Sequence, residues 1–175
     1  MLYTSVAFGL KAEKTIERLK KLEGDSFYLA HLDDGGSSKT IFGSGNIAFV
    51  VPIEIGEEVR AKTGHSVYRL IQEKWWSDEA LRDMVEVPLP KASGITKIGT
   101  RKNPELAELS TVPALHPFHV QAVYLKMALQ LADVRGNRNP LSPYNPLALW
   151  DRDERGGDVY GVIMPYLTEL KKECG

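Results

Sequence analysis

The chain is nearly empty of cysteine: a single thiol, Cys174, stands next to last among 175 residues. One cysteine excludes an internal disulfide and a structural zinc site built on several thiolates. At a chain end, where fraying is the default, it also lacks the fixed neighbours that activate a thiolate. Long apolar runs are missing as well. No stretch approaches the roughly 18 residues of a membrane span. The opening MLYTSVAFGLKAEK lacks the order of charge, apolar core and cleavage site that marks a secretory signal. Net charge is the third absence. With 22 basic and 23 acidic side chains the sum is −1, so no global field draws the chain to nucleic acid or to a membrane surface. The expectation is a cytosolic protein with a protein partner, nucleic acid unsupported by the charge and no membrane association.

What remains is an ordinary globular composition, 43% hydrophobic and 26% charged, which argues against a disordered tail. A chain of this length buries about 70% of its unfolded surface and needs no covalent staples. It carries no internal repeat, so one domain over residues 1–175 is expected.

Residues 2–8 (LYTSVAF) read as a short strand. Residues 10–23 read as an amphipathic helix with Ala12, Ile16, Leu19 and Leu22 in one stripe, Glu17 and Lys21 as an i,i+4 pair and Gly24 as its stop. Residues 26–32 and 46–55 are the clearest strands, with Pro52 marking a strand end or an edge. Between them the glycine- and serine-rich connection includes a short strand at 39–42. Helical patterning covers 57–76 and 78–84, a strand and loop cover 85–100, and Pro104 opens a short helix. The strongest helical pattern is 117–135, with Pro117 first and Gly136 as the stop. Only His119, Lys126, Gln130 and Asp133 share its polar side, which predicts a buried central helix. Residues 136–157 form an irregular segment rich in proline, arginine and glycine, with one helical turn at 146–150. An apolar run (VYGVIM) and a helix started by Pro165 end the chain. The expected fold class is α+β, a mixed or antiparallel sheet packed on the central helix 117–135, with a layered α/β fold as the alternative.

Candidate sites are scattered. Strand alternation puts His31 and Asp33 on one face, where imidazole and carboxylate can serve as base and orienter or hold a metal. The run Gly35–Thr40 has the small, hydroxyl-rich character of a phosphate cradle but neither the spacing nor the following helix of a P-loop. His116 and His119 form an HxxH at the expected helix start, where His116 caps the helix and could assist His31 and Asp33. Gln121 and Tyr124 lie in the apolar arc of the central helix, so they bond to the sheet or line an internal pocket. Arg69 and Trp76 share the outer side of a helix as an aromatic and arginine surface. Tyr144, Trp150 and Arg152 form a second such patch, neutralised by Asp151, Asp153, Glu154 and Asp158.

No constellation has the spacing that makes catalysis persuasive. The leading expectation is a non-enzymatic regulatory protein that binds a macromolecule through Arg69, Trp76, Tyr144, Trp150 and Arg152. The alternative is a small phosphoester- or nucleotide-processing enzyme using His31, Asp33 and His116, with metal help an open question. The third is a small-ligand sensor with a pocket over Gln121 and Tyr124. The sequence leaves any cofactor unknown.

Overall fold

The computed structural model describes residues 6–34, 37–60, 83–100, 102–111, 117–151 and 160–167. The first element is helix α1, Val6–Glu23. The strand expected at 2–8 is helical from Val6 onward, and residues 2–5 lie outside the described residues. The reason is visible in the spacing. Phe8 falls on the same helical stripe as Ala12, Ile16 and Leu19, and all four are buried. Lys20 and Lys21 sit in the last turn, where the negative helix end favours them. Gly24 follows with φ +55°, the left-handed region that glycine enters without a Cβ clash, and leads into a 3-10 turn over Gly24–Ser26.

Strands β1 (Tyr28–Asp34), β2 (Ser37–Gly43) and β3 (Ile47–Val51) come next, so the extra strand expected at 39–42 is longer and pairs on both sides. They are followed by β4 (Val85–Val87), β5 (Leu106–Ser110), β6 (Pro117–Gln121), helix α2 (Ala122–Leu131), β7 (Val134–Arg138), β8 (Leu147–Asp151) and β9 (Tyr160–Ile163). Seven strands form one sheet in the order β1-β2-β3-β9-β8-β7-β4, and β5 pairs with β6 separately. Every pairing is antiparallel. The class is therefore α+β with a large antiparallel sheet and, among the described residues, two helices. The layered α/β alternative, which needs parallel strands joined by helical crossovers, does not fit.

The expected helix 117–135 is three elements. Over 117–121 burial alternates, with Phe118 and Val120 buried and Pro117 and His119 facing outward, and this stretch pairs with β5. Five residues fit a period of 2 as well as one of 3.6, and the cross-strand partner decides between them. Gln121 keeps extended backbone (φ −67°, ψ 128°), and the helix begins only at Ala122. Ala132 is extended again, and Gly136, expected as the stop, lies inside β7 against Leu89. Other expectations fail for similar reasons. Val59 forms an isolated bridge with Leu29 through two 2.9 Å backbone hydrogen bonds, so 57–60 is not helical, and 61–82 lie outside the described residues. Pro104 bridges Gly99 instead of opening a helix. The turn expected at 146–150 is strand β8, and β7 occupies the start of the segment read as irregular. After Pro165 no regular element forms through 167, and 168–175 lie outside the described residues.

Strand β3 is buried at every position, which explains its unbroken apolar sequence. Phe49 and Val51 join Leu29, Phe42, Leu147, Leu149 and Ile163 in a cluster that also contains Phe8, Leu19, Leu125, Ala128 and Leu131 of the two helices. Its other neighbours, Ala48 and Val50, belong to a second cluster with Tyr28, Ile41, Ala148, Trp150 and Val162. Each fully buried large side chain contributes about 1.5–3 kcal/mol relative to exposure. The sheet is thus apolar on both faces, and the two helices share the core of one of them.

Candidate ligand-binding cleft

The site residues expected from sequence do not gather at one place. His31 is half-buried near the middle of β1. Its Nε2 lies 3.2 Å from the Ile55 carbonyl, and its Nδ1 lies 3.9 Å from Glu54 and 3.8 Å from Glu58. Asp33 is exposed on the same strand, and His116 lies outside the described residues. His119 is on β6 instead of a helix start, with its Nε2 3.3 Å from Glu108 on the opposing strand. The helix end invoked for the HxxH pair is therefore absent there. Among the described residues no three His, Cys, Asp or Glu side chains form a metal-binding group. Likewise, no described helix is long and apolar enough to cross a membrane.

The aromatic and arginine surface is also altered. Arg69, Trp76 and Arg152 lie outside the described residues. Trp150, expected outward, is only 3% exposed, because β8 is an interior strand and turns its ring into the second apolar cluster. Tyr144 is 59% exposed, and Leu141 in the same loop is more exposed still.

Gln121 and Tyr124, by contrast, line one cleft of about 320 Å³ with Glu23, Ser26, Asn46 and Thr100 as its other polar residues. That is within the size range of small-molecule sites, about 300–1,000 Å³. Four stretches of chain build it. The end of α1 and the turn after it supply Leu22, Glu23 and Ser26, the β2–β3 turn supplies Asn46, the β6–α2 junction supplies Gln121, Val123 and Tyr124, and Ile98, Gly99, Thr100 and Pro104 close one side. Gly99 and Pro104 are held together by a β-bridge, and the Thr100 amide donates to the Asn103 carbonyl at 3.1 Å. Gly99 has φ +68°, and a Cβ there would lie 2.4 Å from the Asn103 carbonyl oxygen, so only glycine fits the turn.

At the back of the cleft the Tyr124 hydroxyl donates to Glu23 Oε1, and Asn46 Nδ2 donates to the Tyr124 oxygen at 3.4 Å. Glu23 is 7% exposed. It completes the stripe Phe8, Ala12, Ile16, Leu19, since position 23 follows 19 by four residues. That geometry buries a carboxylate at the foot of an apolar helix face. Among the described residues no lysine, arginine or histidine pairs with it. Sequence reading found Gln121 and Tyr124 through polar residues in an apolar arc. Glu23 gives the same signal on α1, where the stripe was followed only as far as Leu22. Asn46, in the tight turn before β3, gives no such signal.

No family model, curated protein sequence or solved structure matches this chain.

Proposed function

We propose that the protein binds a small ligand in this cleft and recognises it through a cationic nitrogen, such as a primary ammonium, held at Glu23. One observation carries the reading: a carboxylate that is almost wholly buried, lines a ligand-sized cleft and lacks a basic partner among the described residues. Burying an ionised carboxylate is costly unless it is paired and hydrogen-bonded. Tyr124 supplies one hydrogen bond, and an ammonium from solution would supply the missing charge. Asn46, Thr100 and Gln121 add donors and acceptors to the lining, which suits a polar ligand over a purely apolar one. This makes the protein a small-ligand binder of the sensor type.

The test is calorimetric titration of the full chain with n-butylamine, with n-butanol as the uncharged control. Butylamine is expected to bind saturably and butanol not to bind. Glu23→Gln keeps the acceptor for Tyr124 but removes the charge, and is expected to weaken butylamine about 10- to 100-fold. Equal binding of amine and alcohol, or an unaffected Glu23→Gln variant, would overturn the reading.

A further inference from the structure

A second groove lies beside this cleft and shares Leu22, Ile98 and Val123 with it as a common wall. Its volume is about 400 Å³, and it runs between α1 and α2. The lining is mostly carbon, from Leu22, Val123, Met127 and the exposed Ile98. Around that floor stand three cations, Arg18 and Lys21 from α1 and Lys126 from α2, with Gln130 the remaining polar residue. The lining contains no carboxylate. Arg18 is oriented by a 2.8 Å hydrogen bond from its Nη1 to Gln130 Oε1. Among the described residues neither Lys21 nor Lys126 forms an ion pair, and the Glu17–Lys21 pair expected along α1 is not made.

Such an arrangement is self-repelling when empty. Three like charges line one apolar surface, and the lining itself supplies no carboxylate to offset them. The complement is a molecule with one anionic end and an apolar body. Lysine and arginine stems also extend the apolar surface while their heads stay wet, so floor and rim favour the two ends of one ligand. The groove has the volume of a small-molecule site and is not a face broad enough for a folded partner. We propose that it binds a free medium-chain acyl carboxylate. The chain lies on Leu22, Val123 and Met127, and the carboxylate sits among Arg18, Lys21 and Lys126. The site is separate from Glu23, whose charge would repel the same head group, so the two proposals stand or fall apart.

Sodium decanoate is the probe, titrated into the full chain below its micelle-forming range and without amine present. One-to-one saturable binding is expected, weakening as salt is added. Each methylene removed from the chain should weaken it about three- to fourfold. Decyltrimethylammonium, with the same tail and the opposite charge, is expected not to bind. The pair Lys21→Glu and Lys126→Glu should reduce decanoate affinity at least tenfold, with an unchanged circular dichroism spectrum confirming the fold. Equal affinity for the two amphiphiles would overturn the proposal, as would decanoate binding that ignores the lysine substitutions. Displacement of decanoate by an acidic amphipathic peptide that binds more tightly would also overturn it, in favour of a peptide groove.

Discussion

Replacing Arg138 by Met is expected to cost about 3–5 kcal/mol of folding stability, because it removes three hydrogen bonds from a charged donor, worth about 1.5–3 kcal/mol each before water re-solvates the loop carbonyls. Arg138 is 3% exposed at the end of β7. Its Nε donates to the Asn145 carbonyl at 2.9 Å, and its Nη2 donates to the Ser142 and Pro143 carbonyls at 3.1 and 3.2 Å. The guanidinium also lies 4.3 Å over the Phe118 ring of β6. One side chain thus holds the loop 139–146 and joins the main sheet to the β5–β6 pair. Burial lowers its pKa below the ordinary value. It stays protonated near neutral pH in both folded and unfolded chains, so its contribution should not vary with pH there. Met keeps much of the stem volume and leaves three carbonyls unsatisfied. Lys should recover less than half of the loss, because one ammonium cannot reproduce the fork that spans three carbonyls. Urea denaturation of the three proteins measures this. A loss below about 1 kcal/mol for Arg138→Met would mean that the loop is held by other contacts.

A matched pair of glycine substitutions is expected to move stability in opposite directions. A Cβ at Gly43 would lie 2.1 Å from the Ile47 carbonyl oxygen and 2.7 Å from Ala48 Cα, both backbone atoms of the β2–β3 hairpin. Neither can swing aside as a flexible side chain would, so Gly43→Ala should destabilise by about 3 kcal/mol or more, the upper end for overpacking. Gly9 lies inside α1, where a Cβ would meet nothing within 4 Å. There Gly9→Ala should stabilise by about 0.5–1 kcal/mol, from reduced entropy of the unfolded chain and better helix propensity. Comparing the two denaturation midpoints cancels most systematic error. Equal effects, or a harmless Gly43→Ala, would contradict the hairpin packing described above.

Much of the fold was legible where a pattern had length. The helix ending at Glu23 shows four turns of apolar spacing, and β3 is an unbroken apolar run, so both were identifiable from sequence alone. The region 117–135 misled because strand, helix and strand follow one another with almost no polar break. Its apolar positions serve two periods, and the choice between them is made by pairing with β5 and β8, which lie outside the segment on either side. The β7–β8 strands were hidden for the opposite reason. Asparagine and proline dominate their loop, and Arg138 reads as a surface charge until three carbonyls are seen around it. The candidate cleft was half legible. Tyr124 and Gln121 stood out as polar residues among apolar neighbours, but their partner Glu23 is 101 positions away from Tyr124. No local pattern encodes that meeting.

The most direct test of the small-ligand reading is a two-dimensional NMR titration of the isotopically labelled full chain with n-butylamine. Shift changes are expected to concentrate at Glu23, Ser26, Asn46, Thr100, Gln121 and Tyr124, to saturate, and to vanish in Glu23→Gln. Changes centred elsewhere, or persisting unaltered in that variant, would contradict recognition of a cationic ligand by the buried carboxylate.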